Sequence, residues 1–245
     1  MTSIDFGEIN MPIMKKEHLS KTLDSLIWNI EQARIHVSEH HIVKLVVVAK
    51  YTDLENINTL YDLGQRAFGE NHIQQLAQRS QALESLPLES HMLGSVQKNK
   101  INKLIDLNPT LLHSLDSMEL ALELNKKLKA KAKTMSCLLQ INAAQEASKS
   151  GVAAKDAIAI YKEIQKTCPQ IKLKGIMSIG AHSLEEKEIE KSFNISHDIY
   201  KKLQKEGASI CSMGMSSDYE LAIKCGSNLV RVGSAIFQAS ADPQG

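Results

Sequence analysis

Three kinds of residue in this chain could do chemistry: an amine at the end of a buried run, two turns rich in glycine and hydroxyl groups, and an arginine inside an apolar stretch. Lys50 closes Val46-Val47-Val48-Ala49-Lys50, a run that reads as a strand buried on both faces, as in parallel sheets. A lysine held away from water loses part of its preference for the ammonium form and can attack an aldehyde. The alternative is a strand-end lysine whose flexible stem carries its charge to water.

Ser212-Met213-Gly214-Met215-Ser216 and Val232-Gly233-Ser234-Ala235 each place glycine and hydroxyl residues between a strand pattern and a helical segment. Backbone N–H groups at such turns, beside a helix amino terminus, form an anion site. The alternative is a pair of tight turns in which glycine only relieves backbone sterics. Arg231 lies inside Leu229-Val230-Arg231-Val232. With a period of two, Val230 and Val232 face one way and Arg231 the other, into an interior where an unpaired guanidinium is very costly. It needs an acceptor, either a carboxylate in a structural ion pair or a ligand's ring nitrogen or phosphate. An amine, an anion cradle and a buried cation describe a site for an aldehyde-bearing phosphate ester, and pyridoxal 5′-phosphate (PLP) fits all three.

These residues need elements that bring them to one place. Apolar residues at 19, 23, 26, 27, 30 and 33 give the three-and-four spacing of an amphipathic helix over 19–37. Beyond it, short apolar runs alternate with helical patterns, the rhythm of β-α units. Strands are predicted at 43–50, 67–69, 91–96, 111–115, 135–142, 173–179, 210–213 and 229–232. Helices are predicted at 53–63, 71–84, 97–106, 117–131, 153–167, 184–206 and 216–225, with a short terminal segment after 236. Asp53, Ser117 and Ser217 are the expected amino-terminal caps, and Gly64, Gly207 and Gly226 the expected left-handed terminators.

Eight such units predict an α/β fold, a single (β/α)8 TIM barrel with an extra N-terminal helix; a doubly wound open sheet is the alternative. The domain is expected to span 1–245, with an extension and helix at 1–40 and the barrel at 43–237. In such a barrel the site lies at the carboxyl-terminal ends of the strands. Lys50, Glu70, Asn71, Gln97, Asn99, Asp116, Asn142, Gly180, His182, Ser216, Gly233 and Ser234 all fall there. Some of this is the ordinary composition of loops. His91, His113 and His182 are read as structural rather than as members of the site.

The 245 residues carry a net charge of +1 with the two signs interspersed, which argues against a nucleic-acid surface and for a small-molecule ligand. Cys137, Cys168, Cys211 and Cys225 form no C-x-x-C pair, so reduced thiols and no metal site are expected. The amino terminus lacks the basic start and apolar core of a signal peptide, and no apolar run approaches the roughly 20 residues that span a bilayer. A soluble, cytoplasmic, monomeric protein is expected.

With these residues in view, the chain closely resembles the pyridoxal phosphate homeostasis proteins of the YggS/PROSC type, which are similar to the barrel domain of alanine racemase. The resemblance rests on Val46–Lys50, Phe68-Gly69-Glu70-Asn71, His91-Met92-Leu93-Gly94 with Gln97, Asn99 and Lys100, and Gln140-Ile141-Asn142. It continues through Ser148-Lys149-Ser150-Gly151, Leu173-Lys174-Gly175-Ile176-Met177, Ser212-Met213-Gly214-Met215-Ser216 and the stretch 230–237. It implies PLP held on Lys50 as an internal aldimine, phosphate contacts from Ser216, Gly233 and Ser234, Arg231 facing the pyridine nitrogen, and Asn71 in the pocket. It also implies a role in intracellular vitamin B6 and amino-acid balance without an established catalytic reaction. The partners it implies are the cofactor, amino acids and, in transient contact, PLP-dependent enzymes. Three stretches depart from the family pattern: Ala49-Lys50-Tyr51 replaces Ser-Lys-Thr, Ser95-Val96 replaces Pro-Leu, and His72 replaces Tyr.

An arginine facing the ring nitrogen leaves that nitrogen unprotonated and the cofactor a poor electron sink. Alanine racemase offsets this with a second domain carrying a catalytic tyrosine; this chain is expected to end with its barrel, and Tyr51 does not match that residue. A binding and homeostasis role is therefore expected. The alternatives are a PLP-dependent racemase or lyase with Lys50 as base, a Schiff-base aldolase, and a ligand-stabilised docking protein. The aldolase reading is weakened because Lys174 falls at the opposite rim of strand six. The docking reading is weakened because Lys187, Glu188, Glu190 and Lys191 read as a solvated helix face.

Overall fold

A computed structural model describes residues 13–50, 52–144, 146 and 149–237. The extension before residue 13, Tyr51 and Ser148 therefore lie outside the described residues. Strands β1 (Lys44–Val48), β2 (Ala67–Glu70), β3 (Glu89–Met92), β4 (Leu111–Leu115) and β5 (Met135–Asn142) are followed by the two-residue β6 (Val152–Ala153). Then come β7 (Ile171–Ser178), β8 (Ile210–Ser212) and β9 (Leu229–Val232). Every pairing is parallel. The order β4-β3-β2-β1-β9-β8-β7-β5, with β4 also paired to β5, closes eight of these strands into the expected barrel. The short β6 is an addition, hung outside the ring on the end of β5.

Helices fill the connections: α1 (Lys16–Ile35) precedes the barrel, and α2 (Leu54–Asp62), α3 (Ile73–Ala82), α4 (Ile101–Leu107) and α5 (Met118–Ala130) follow β1 to β4. The remainder are α6 (Ala157–Thr167), α7 (Glu186–Leu203), α8 (Tyr219–Lys224) and α9 (Ser234–Phe237). Helix α1 buries Leu19, Leu23, Leu26, Ile30 and Ala33, the stripe its spacing predicts. It packs on α8 and α9, in one apolar cluster with Val230 and Val232. The opposite faces of the strands meet in the barrel interior, where Val46, Ala67, Leu111, Leu138, Met177 and Leu229 form a separate cluster.

The termini follow local chemistry. Asp53 accepts from the Glu55 N–H and Ser117 from the Leu120 N–H, as capping residues should. Ser217 does not cap: α8 starts at Tyr219, and the Asp218 carboxylate instead turns back to the Met215 N–H at 2.6 Å. The carboxylate satisfies a donor of the preceding turn, and the helix starts later for it. The third strand covers Glu89–Met92, where 91–96 was expected, because the chain leaves the ladder at Leu93-Gly94 to pass against β2's exit. At the β8–β9 seam only Ser212 and Leu229 are in register. Ser227 fills the gap: its hydroxyl oxygen accepts from Met213 N–H and faces the carbonyls of Cys211, Met213 and Leu229 within 3.1 Å.

Candidate functional site

At the carboxyl-terminal rim a pocket of about 790 Å³ is lined by Lys50, Asn71, Ser216, Arg231, Gly233 and Ser234 together. These are the candidates read from the sequence, brought from β1, β2, β8 and β9 to one cavity. Gln97 and Lys100 line it too, whereas Asn99, Asp116, Asn142, Gly180 and His182 are absent from the wall. Asn142 instead organises a loop: its amide donates to the carbonyls of Glu146 and Lys149. Lys149 in turn donates to the Gly180 carbonyl and pairs with Glu146. His182 is exposed and holds Glu146 only through its backbone N–H.

Lys50 stands two residues beyond β1, half-buried, after the fully buried Ala49. The chain that leaves it is braced from below. Arg79 on α3 donates to the Thr52 carbonyl at 2.7 Å and pairs with Glu70 at the end of β2. Burial pushes the Glu70 carboxyl up and Arg79 offsets it. One carboxylate oxygen of Glu70 has no hydrogen-bond partner among the described residues. The sequence placed Glu70 at the rim, but nothing in it linked Glu70 to Arg79.

The two glycine turns meet at the Ser216 hydroxyl. The N–H groups of Gly233 and Ala235 both donate to the Ser216 hydroxyl oxygen, at 3.1 and 3.3 Å. The serine oxygen accepts both, and its own hydrogen is left to donate. Gly233 is glycine for packing reasons, since a β-carbon there would lie 2.9 Å from the Val48 carbonyl oxygen of β1.

Arg231 points into the barrel, as the strand period requires, while its neighbours Val230 and Val232 pack outward. It donates to Ser212 Oγ at 2.6 Å and to the Ser178 carbonyl at 3.0 Å. Burial lowers its pKa to about 10, partly offset by Asp218. Beside it His113 and His91, both buried, are in contact at 2.9 Å between Nε2 and Nδ1. Burial takes His91 down to about 4 and His113 well below the ordinary range. These histidines are interior residues of the barrel, outside the pocket wall, yet connected to it through Ser212.

The cysteines are free and buried, with burial pushing the Cys137 thiol upward. Among the described residues no cluster of His, Cys, Asp or Glu could hold a metal ion, and no helix is long and apolar enough to cross a membrane. Lys174 is exposed in the first half of β7, away from this pocket.

Residues 22–241 match the family model of the alanine racemase N-terminal domain. A pyridoxal phosphate homeostasis protein of Helicobacter pylori is 51% identical over 216 residues, which cover 88% of this chain and 96% of that one. A crystal structure of an unknown protein from Bifidobacterium adolescentis superposes with a TM-score of 0.85 at 28% identity, covering 94% of this chain and 100% of the other. The structure of PipY from Synechococcus elongatus with PLP bound gives 0.76 at 28% identity, covering 89% and 99%.

Proposed function

The chain belongs to the alanine racemase N-terminal domain family, among the pyridoxal phosphate homeostasis proteins, and from that premise we propose that it binds PLP at this rim and serves intracellular vitamin B6 and amino-acid balance. The observation that carries the reading is the convergence of Lys50, Arg231 and the Ser216–Gly233–Ser234 turns on one pocket. The donor set fits the cofactor: the Ser216 hydroxyl, whose oxygen accepts from the Gly233 and Ala235 N–H groups, keeps its hydrogen for a phosphate oxygen, and a buried guanidinium suits an unprotonated ring nitrogen.

When bound, the cofactor supplies an aldehyde that an amine can capture and a ring that can draw electron density from a carbon next to it. Lys50 is the capturing amine. The Arg79 brace on Thr52 fixes the chain that follows it, and so where that amine is presented. Arg231 can only donate, so it holds the ring nitrogen without protonating it, and ring electron withdrawal stays weak. Ser216, Gly233 and Ser234 hold the phosphate, and Asn71 forms the adjoining wall. Weak electron withdrawal favours storage and hand-over of the cofactor above turnover of a substrate.

The same proposal makes the protein one domain over 1–245, monomeric and cytoplasmic. Amino acids are its guests, and PLP-dependent enzymes its transient contacts. The free buried cysteines support a reducing compartment. Visible spectra before and after added PLP, borohydride reduction, and peptide mass mapping test the reading. A coloured protein marked at Lys50 is expected; a protein that takes up no cofactor overturns it. An amino-acid panel on the loaded protein then separates binding from catalysis: steady turnover abolished by Lys50→Ala would identify a racemase or lyase instead.

A further inference from the structure

We propose that His113 is a positioning residue for Arg231, acting through a one-way hydrogen-bond relay that crosses the barrel interior from the pocket to the opposite rim. The relay runs Arg231–Ser212–His113–His91 and ends at Glu89, and its role toward the cofactor rests on the reading given above.

Its direction follows from the two ends. A guanidinium has donors and no acceptor, so in the 2.6 Å contact between Arg231 Nη1 and Ser212 Oγ the serine oxygen accepts. The serine hydrogen is then available to His113 Nδ1, 3.3 Å away. That nitrogen must carry a lone pair, so the proton of a neutral His113 sits on Nε2. His113 Nε2 faces His91 Nδ1 at 2.9 Å, which must accept in turn, leaving the His91 proton on Nε2. His91 Nε2 faces Glu89 Oε2 at 3.8 Å, beyond hydrogen-bond distance, and has no hydrogen-bond partner among the described residues; its proton points at the carboxylate, and a small turn of the Glu89 side chain closes the span. Lys44 pairs with Glu89 and fixes that end.

The reverse direction fails twice. It would leave the Ser212 hydrogen without its acceptor, and it would turn a His91 lone pair toward a carboxylate. A charged His113 fails as well, because it would place a second cation beside Arg231 inside the barrel; burial, His91 and Arg231 all favour its neutral form.

Every hydrogen in the relay therefore points away from Arg231, and every lone pair toward it. His113 Nδ1 locks the Ser212 hydroxyl, so the Ser212 oxygen is held toward Arg231. With the Ser178 carbonyl as second acceptor, the guanidinium keeps a fixed plane and its charge. That plane decides which N–H groups remain for a ring nitrogen in the pocket.

The tautomers can be read directly on cofactor-free protein by long-range ring ¹⁵N correlation. His91 and His113 are both expected to be neutral with the proton on Nε2 at neutral pH. Either ring with its proton on Nδ1, or charged, overturns the relay. Ser212→Ala removes the link, so the His113 ring is expected to become a mixture of tautomers; an unchanged single tautomer overturns the serine's part. In the PLP-loaded protein, Ser212→Ala and His113→Leu are expected to weaken cofactor binding about tenfold and to move the visible band. Leu138→Val, an interior change off the relay, is expected to leave the band in place. Equal band movement in all three would reduce His113 to ordinary packing. Because the tautomers are measured without cofactor, a wild-type protein that fails to bind PLP defeats the functional reading and leaves the relay separately judged.

Discussion

The α-carbon of Gly94 rests against the backbone of Asn71 so closely that a β-carbon on it would lie 2.0 Å from the Asn71 carbonyl oxygen. The exits of β2 and β3 are thus fitted to each other, and the position of Asn71 depends on the absence of one methyl group at the end of the neighbouring strand. Gly94→Ala should displace Asn71 from the pocket wall. Overpacking of this kind costs about 1–3 kcal/mol, and PLP titration should show affinity reduced by about tenfold or more. Unchanged affinity would mean that Asn71 contributes nothing to the site.

Lys50→Ala should abolish borohydride-fixed cofactor while leaving phosphate-dependent, reversible binding. The cradle at Ser216 and Gly233 does not depend on the amine. Equilibrium dialysis with and without reduction separates the two. Covalent label retained in the variant would place the attachment on another lysine.

Arg79→Leu should be strongly destabilising, because it leaves the Glu70 carboxylate buried and unpaired; losses of about 3–5 kcal/mol are usual for breaking such a pair. The double variant Glu70→Leu with Arg79→Leu should recover much of that stability. Neither should restore the hold on the Thr52 carbonyl, so covalent attachment at Lys50 should stay slow in both. Urea unfolding and the rate of cofactor uptake measure the two effects.

Stability should fall on acidification through the window of the buried histidines. The pKa of His91 is about 4 in the folded chain against an ordinary value of about 6.5, so below pH 6.5 the unfolded state takes up a proton that the native state refuses. Stability contributed by neutral His91 is complete above that pH and declines toward pH 4, by about 2 kcal/mol at pH 5. His113 acts in the same direction. The lowered Glu89 carboxyl works below the ordinary carboxylate range instead, since its stabilising charge is lost only at lower pH. Urea midpoints at pH 7 and pH 5 should therefore differ, and the difference should shrink in His91→Leu. A midpoint independent of pH over that interval would contradict the buried neutral pair.

Much of this was legible in the sequence because backbone periodicity writes side-chain direction. Arg231 between two outward valines had to point inward, and Lys50 after a continuous apolar run had to stand at a strand end. The rhythm of β-α units put both at one rim. What period and composition do not encode is which distant side chains meet. His91 and His113 each read as a single structural histidine, and their contact exists only because β3 and β4 are neighbours in register. Arg79 meets Glu70 only because α3 packs there, a contact that the spacing of residues does not announce. Ser217 looked like a cap by type, but Asp218 was closer to a competing donor at Met215. The early end of β3 followed from the Gly94–Asn71 approach, a tertiary contact with no local signature.

The seam between β8 and β9 has a consequence for the life of the chain. Its ladder has a single register pair, and the turns that carry Ser216 and Gly233 leave from its upper end. A ligand gripped by both turns acts as a rivet across this joint, added to the backbone bonds and the Ser227 contacts that already span it. With PLP as that ligand, each increment of free cofactor adds to the resistance of the barrel to opening. The amount of this protein that survives would then follow the supply of the molecule it holds, so that scarcity is registered as loss of the container itself.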